Sequence, residues 1–462
     1  MLRLTTVQPD FWEHILPPEA LRISPHLQAI DALLDDQRFL APFVRRFRSK
    51  RGRYTIPMET YLRLMYLKMR YQLGYESLVA EVTDSVSWRR FCRISLSGLV
   101  PEASTLIKLT NGPCRGLAGE VHDGLVAKLA EKKVLRRRKV RVDTTVVEAD
   151  IHYPTDVDLL ADGVRVVTRT VKRLQQLGAA AEVKFRDVGR SVRQRLLGLG
   201  KGLKQDEEKK QATRATITAE VLTITEGVVR RAKAVRERAA QWAQGQGERV
   251  RAGVQRRLRQ LDTWLERTER VMVQTKQVLG GNPHVKDRLV SLFDPDARPI
   301  RKGSLRRPTE FGYKVVVTDE ERGFVTDYEV TRGNPEDSTL LVPAVKRHAQ
   351  RVGKVPQGVA TDRGMASAGN DRDIAALGVT QRSLPKTGRK SDAERAKERS
   401  PWFRRLQRFR AGGEGRISTL KRQYGWRRSR LRGLAGVQTW VGWGAIAHNL
   451  TKYARWQVVR AG

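Results

Sequence analysis

The segment Val140-Arg141-Val142-Asp143-Thr144-Thr145-Val146-Val147 follows a run of basic residues that begins at Lys132. Its β-branched residues predict a strand. Asp143 interrupts the alternation of apolar and polar positions with an acid. A charge on a central strand costs on the order of several kcal/mol unless it is paired or bound to a metal. Asp143 is therefore a candidate functional residue.

Further strands are predicted downstream of this segment, at 311–317 and 323–330, and a helix is predicted to begin near Pro335. Another strand ends at 359–362, where Asp362 is followed at once by Arg363-Gly364. Alternating strands and helices of this kind predict a mixed α/β sheet flanked by helices. The carboxyl ends of strands in such sheets are where ligand sites form, so Asp362 is a second candidate.

Helical patterns surround the predicted sheet. Residues 1–130 contain short helices separated by tight glycine turns, and two interpretations stay open: a helix-turn-helix-like DNA reader and a helical bundle without DNA contact. Residues 160–285 are basic and helical, and an apolar stripe from Val254 to Leu279 recurs at steps of four and three, as in a coiled coil. Residues 383–402 are polar and basic and predict a mobile loop.

These patterns divide the chain into domains. We predict a helical N-terminal domain at 1–130, a catalytic domain at 131–455 that carries the helical insertion 160–285, and a tail at 456–462.

The charge balance is strongly basic. The 462 residues include 89 Lys and Arg and 50 Asp and Glu, a net charge of +39. Such an excess usually means a polyanionic partner, most often nucleic acid, although a merely solubilising excess is the alternative. Cys92 and Cys114 form no CxxC motif, and no two histidines have H-x3-H spacing, which excludes a disulfide framework and argues against a zinc finger. The sequence shows neither a signal peptide nor a membrane span, so a cytoplasmic protein is expected.

A third acid lies in a late helical segment. Arg410 precedes Glu414 by four residues and Lys421 follows it by seven, so that one helix face carries all three. Each acid alone has an ordinary interpretation, namely a strand-end acid, a cap or half of a surface ion pair. Three acids on elements that one α/β fold can bring together match magnesium, a hard ion that prefers oxygen ligands.

These residues resemble the DDE transposases of bacterial insertion sequences. The resemblance covers most of residues 55–455, with the helical insertion less well matched. One departure is Gln407, which occupies the position of a tyrosine in the family signature. The matching segments are Pro57 to Leu109, Val142-Asp143-Thr144-Thr145, Asp294-Pro295-Asp296, Glu310-Phe311-Gly312-Tyr313-Lys314, Ala360-Thr361-Asp362-Arg363-Gly364 and Arg410-x3-Glu414-x6-Lys421.

The resemblance implies an RNase H-like core in which Asp143, Asp362 and Glu414 are catalytic and hold two Mg²⁺ ions, with Mn²⁺ as a substitute. Arg410 and Lys421 would bind the DNA phosphate. The resemblance further implies that the chain binds double-stranded DNA, both at the transposon ends and at the target. The N-terminal domain would bind the ends. The chain would act as a homodimer associated with the bacterial nucleoid. Two alternatives remain: an RNase H-like nuclease that does not join strands, and a catalytically decayed DNA-binding protein.

Overall fold

The chain forms two compact units in a computed structural model. One unit comprises residues 1–150 together with 302–462, and the other comprises 151–301. The structure describes residues 1–4, 11–47, 52, 54–201, 207–301, 309–386 and 388–461.

The elements follow one another as helices, then strands mixed with helices. The α-helices are α1 Phe11–Ile15, α2 Pro25–Leu34, α3 Ala41–Arg46, α4 Met58–Arg70, α5 Tyr75–Asp84, α6 Val86–Phe91, α7 Ala103–Asn111, α8 Leu117–Glu131, α9 Asp156–Gln175, α10 Gly189–Lys201, α11 Glu207–Gln244, α12 Glu248–Leu279, α13 Asp337–Val352, α14 Ala368–Ala376, α15 Asp392–Arg399, α16 Pro401–Gln423 and α17 Leu434–Ala461. The strands are β1 Lys139–Glu148, β2 Arg298–Arg301, β3 Thr309–Glu320, β4 Val325–Val330, β5 Gly358–Ala360 and β6 Gln381–Ser383.

The sheet of the first unit has the strand order β4-β3-β1-β5-β6. Strand β1 lies at its centre, antiparallel to β3 and parallel to β5, and Asp143 pairs in register with Val317. The predicted mixed sheet flanked by helices is thus confirmed.

The two faces of β1 have different neighbours. Val140 and Val142 are fully buried in a core cluster with Leu341 and Val345 of α13. Because side chains alternate along a strand, Arg141 and Asp143 lie on the opposite face. There Arg141 donates a hydrogen bond to the carbonyl of Phe409 on α16, at 2.6 Å. The apolar residues therefore fix the strand, while the charged ones meet α16.

Helix α17 forms much of the remaining core of this unit, where it packs against α2, α4, α8 and β4. Trp440 and Trp443 are buried and belong to this core. Trp426 is buried as well, and its indole N–H donates to the carbonyl of Val441 at 3.0 Å. Its ring is therefore a core side chain and is not displayed for base stacking.

The second unit consists mainly of helices α9 to α12, with the antiparallel pair α11 and α12 packed against α9. Val254, Leu261 and Leu265 of the apolar stripe are buried in its core. The stripe thus packs within this chain. None of the described helices is long and apolar enough to cross a bilayer.

The predicted loop at 383–402 is wrong from Asp392 onward. Residues Asp392–Arg399 form α15, and α16 begins at Pro401. A capping box within this polar segment begins α15. The Ser391 hydroxyl accepts a hydrogen bond from the N–H of Glu394, and the Glu394 carboxylate accepts one from the N–H of Ser391.

The helices α1 to α8 of residues 1–131 lie in the same compact unit as the sheet. Their assignment as a separate DNA-end-binding domain stays a prediction.

Candidate active site

Asp143 is a largely buried carboxylate at the centre of the sheet, with its side chain 15% exposed. Its Oδ1 accepts a hydrogen bond from the N–H of Thr144 at 2.8 Å. Burial raises the pKa of Asp143 to about 6, and the negative charges of Asp362 and Asp319 act in the same direction. The Thr144 hydrogen bond and the charge of Arg410 oppose this rise in pKa.

Asp362 follows β5 and caps the short 3-10 helix Arg363–Met365, its Oδ1 accepting from the N–H of Met365 at 3.2 Å. Strand β5 runs parallel beside β1, so Asp362, two residues past the end of β5, lies next to the strand that carries Asp143. The charge of Asp362 contributes to the raised pKa of Asp143. The structure thus brings these two predicted site residues together.

Helix α16 crosses Asp143 at Gly413. A Cβ atom on Gly413 would lie 3.2 Å from Cδ of Arg141 and 3.6 Å from Oδ2 of Asp143. Glu414 is the next residue, in the middle of α16, and is exposed.

The two predicted phosphate-binding residues are on the same helix. Nη2 of Arg410 lies 4.0 Å from Oδ2 of Asp143. Lys421 is half-buried near the end of α16. Arg410 thus adjoins the aspartate pair directly, whereas Lys421 lies about two turns beyond Glu414.

A divalent cation fits the aspartate pair by its chemistry. The carboxylates of Asp143 and Asp362 provide oxygen donors, and a cation would offset the burial and the repulsion by Asp362 that together raise the pKa of Asp143. Within the described residues, however, no three His, Cys, Asp or Glu side chains are gathered closely enough to hold an ion. The structure assembles Asp143 and Asp362, and it leaves Glu414 exposed on the adjacent helix.

Two family models match the chain. Residues 12–111 match the Transposase domain (DUF772), and residues 290–450 match the Transposase DDE domain. The two matches indicate a transposase with a DDE domain. Both matches are consistent with a transposase of an insertion sequence, which confirms the resemblance seen in the sequence. No curated protein and no solved structure matches the chain.

The matches cover the site unequally. Asp362, Arg410, Glu414 and Lys421 lie within the matched DDE domain, whereas Asp143 lies between the two matched ranges. Asp143 is brought beside Asp362 by the sheet, which sets β1 next to β5. DDE transposases generally use divalent metals, in agreement with the donor chemistry of the aspartate pair.

The sequence did not predict the buried pair of Arg141 and Asp319. Asp319 accepts from Nε and Nη2 of Arg141 and, at 3.3 Å, from Nε of Arg416 on α16. One sequence feature could have indicated a role for Arg141: it lies two residues before Asp143, so both side chains lie on one face of the strand. These contacts hold α16 of the transposase domain against the aspartate pair.

Gln407 makes contacts of its own at the position where the family signature has a tyrosine. Its amide nitrogen donates to the hydroxyl of Ser383 at 2.9 Å and to the carbonyl of Ser383 at 3.1 Å. A longer bond, 3.4 Å, reaches the carbonyl of Thr361 beside Asp362. The glutamine therefore joins α16 to the ends of β5 and β6.

A further acid, Asp337, adjoins the site and was not predicted. At the start of α13 it accepts from Nζ of Lys314 at 2.8 Å and from the hydroxyl of Thr144 at 3.4 Å. A Cβ on Gly364 would lie 3.4 Å from its Oδ2. Lys314 belongs to a segment that resembles the family, and this was the only sequence signal that pointed to this region.

Proposed function

We propose that the chain binds the ends of its insertion sequence and catalyses metal-dependent DNA strand cleavage and strand transfer. The observation that carries the proposal is the juxtaposition of Asp143 on β1 with Asp362, which follows the adjacent strand β5; the pKa of Asp143 is raised to about 6. A carboxylate with such a perturbed pKa, beside an aspartate of the matched DDE domain, is typical of a catalytic site. The strand arrangement supports an RNase H-like core.

In this proposal Asp143, Asp362 and Glu414 hold two Mg²⁺ ions, for which Mn²⁺ can substitute. Bound metals supply charge stabilisation to the attacking and leaving oxygens of an in-line displacement. In the first reaction, water attacks phosphorus and the 3′-oxygen leaves, so that the strand is cut. In the second, the freed 3′-hydroxyl attacks a target phosphodiester, so that one bond forms as another breaks.

Glu414 follows Gly413, the residue at which α16 passes Asp143, so the proposal places its carboxylate on the helix that lies against the aspartates. The adjacent exposed position, Gly415, meets no atom within 4 Å of an added Cβ. The DNA backbone can therefore approach α16 closely at these glycines. Arg410 beside Asp143 would bind the reacting phosphate by a two-pronged hydrogen bond, and Lys421 would bind a neighbouring one.

The partners in this proposal are double-stranded DNA at the transposon ends and at the target, bound by a homodimer associated with the nucleoid. The net charge of +39 supports a polyanionic partner. A mass measurement of the complex with end DNA tests the dimer, and a complex with one chain would refute it.

The decisive experiment measures DNA cleavage and strand joining together. The substrate is a plasmid that carries the inverted repeats flanking the gene. It is incubated with Mg²⁺ and with the wild-type chain or one of three variants, Asp143→Ala, Asp362→Ala and Glu414→Ala. We expect each of the three variants to lose both activities. Asp373→Ala is the matched control, because Asp373 is an exposed acid on α14, away from the aspartate pair, and should keep wild-type activity.

Each outcome favours a different function. Cleavage without joining by the wild type would favour a related nuclease over a transposase. Binding without cleavage, in Mg²⁺ and in Mn²⁺, would favour a decayed DNA-binding protein. Wild-type cleavage by any of the three variants would refute the assignment of that residue.

A further inference from the structure

A basic groove lies between α9 and α10 of the second unit, outside the ranges that the two family models match. Its volume is about 980 Å³. Four cations on α9 line it, with Arg193 of α10 opposite; the four are Arg165, Arg169, Lys172 and Arg173. We call this feature the α9–α10 groove.

The cations of the groove are spaced so that they share one face of α9, since steps of three and four residues return to the same side. Like charges at this spacing repel one another and destabilise a helix. The fold therefore bears a cost at this face that an anionic partner would offset.

Several of these charges are available to a partner. Arg169, Arg173 and Arg193 are exposed, and in the part of the chain that the structure describes none of their side chains has an acidic partner.

The acids of the groove are already engaged. Asp162 accepts from Arg165 at 2.5 Å, Asp187 from Lys172 at 2.5 Å, and Asp158 from the hydroxyl of Thr155 at 2.5 Å. The groove consequently presents an excess of positive charge.

The mouth of the groove adds an aromatic surface. Tyr153 is 75% exposed and lies next to His152, and both line the groove. Unpaired guanidinium groups together with an exposed ring are the combination that binds nucleic acid, through phosphate contacts and stacking. An acidic protein segment would use the cations but would not need the ring.

We propose that the α9–α10 groove binds the phosphate backbone of DNA, as a contact surface separate from the aspartate pair. This inference rests on the proposed function only in taking DNA as the partner. It assigns a role to the helical unit, and it needs no chemistry at Asp143.

The first test compares two full-length variants in which the same number of charges is removed. Arg169→Gln/Arg173→Gln/Arg193→Gln alters the groove. Its control, Arg249→Gln/Arg256→Gln/Arg259→Gln, alters exposed arginines of α12 that have no acidic partner among the described residues. Binding to a short DNA duplex is measured in EDTA at several salt concentrations, so that no cleavage intervenes. Thermal melting checks that both variants are folded.

We expect the groove variant to bind about tenfold more weakly at low salt. The slope of log K against log salt should become shallower by about 0.9 for each phosphate that the groove no longer neutralises, or about 2–3 in all. The control should change the affinity by less than about twofold. Equal weakening in the two variants, or wild-type affinity in the groove variant, would overturn the proposal.

A second test locates the DNA directly. Cys92 and Cys114 are buried, so a new surface thiol is selectively labelled. Gln176→Cys at the groove, carrying an iron chelate that cuts nearby DNA, should cleave the bound duplex, whereas the exposed control Gln255→Cys on α12 should not. Equal cutting from both positions, or none from Gln176→Cys, would refute the groove as the DNA-binding surface.

These tests separate the two proposals. Asp143→Ala should bind DNA through the groove with wild-type affinity and yet fail to cleave. If the wild type never cleaves but the groove variant still binds more weakly, the proposed function fails and the groove stands. If the groove variant binds like the wild type while metal-dependent cleavage is observed, the groove fails alone.

Discussion

Arg141 and Asp319 form a two-bonded ion pair across β1 and β3, with Nε donating to Oδ1 at 2.6 Å and Nη2 to Oδ2 at 2.5 Å. The two residues face each other in the strand register, and both side chains are about 95% buried. The third guanidinium nitrogen, Nη1, donates a hydrogen bond to the carbonyl of Phe409 at 2.6 Å. One guanidinium therefore fixes two strands and the helix that crosses Asp143.

Replacing Arg141 should destabilise the chain strongly. Arg141→Ala leaves Asp319 buried with only the longer contact from Arg416, and breaking a buried pair costs about 3–5 kcal/mol. We expect a decrease of about 3 kcal/mol in the free energy of unfolding, measured by urea denaturation. Arg405→Ala, at an exposed position of α16, should change it by less than about 0.5 kcal/mol. A decrease below about 1 kcal/mol for Arg141→Ala would contradict this account.

Asp143 should make stability depend on pH. Because its pKa is about 6 in the folded chain and 3.8 in the reference state, the folded state retains a proton that the unfolded state releases between these values. The contribution of Asp143 to the free energy of unfolding is fully present below about pH 4 and is lost as the pH rises through about 6. Asp143→Asn should therefore be more stable than wild type at pH 8, by at most about 3 kcal/mol, and equally stable at pH 4. Urea denaturation in EDTA at both pH values measures this, and an equal difference at both would refute it.

The glycines of α16 should respond differently to an added methyl group. At Gly415 nothing lies within 4 Å of a Cβ, so Gly415→Ala should gain up to about 1 kcal/mol from helix propensity. At Gly413 the Cβ would lie 3.2 Å from Arg141, so Gly413→Ala should gain little or lose stability. It should also slow DNA cleavage, because α16 must shift away from Asp143. Melting temperatures and cleavage rates of the two variants test this, and identical behaviour would speak against it.

Gln407 should position the second aspartate. Gln407→Ala removes the donor for both oxygens of Ser383 and for the carbonyl of Thr361, and we expect a decrease of about 1–2 kcal/mol in unfolding free energy. DNA cleavage should fall further than stability accounts for, since Thr361 precedes Asp362. Gln423→Ala, exposed at the end of the same helix, is the control. Wild-type cleavage by Gln407→Ala would show that the amide has no positioning role.

Local patterns predicted the elements that carry the site. The β-branched run around Asp143 and the abrupt turn after Asp362 depend on neighbouring residues, and both appear in the structure as expected. The partner of Arg141 was not predictable, because Asp319 lies 178 residues away and strand register is set by tertiary pairing. The low helix propensity of Gly412, Gly413 and Gly415 weakens α16 around Glu414. Packing against the sheet nevertheless keeps this helix continuous.

The central position of β1 has a consequence for synthesis of the chain. Its two neighbours, β3 and β5, begin at Thr309 and Gly358, so a ribosome must add more than 150 residues after Asp143 before either pairing forms. The helix that crosses the aspartates is made later still. A nascent chain of this protein therefore has no assembled carboxylate site, and the proposed DNA cleavage cannot begin until synthesis has passed α16.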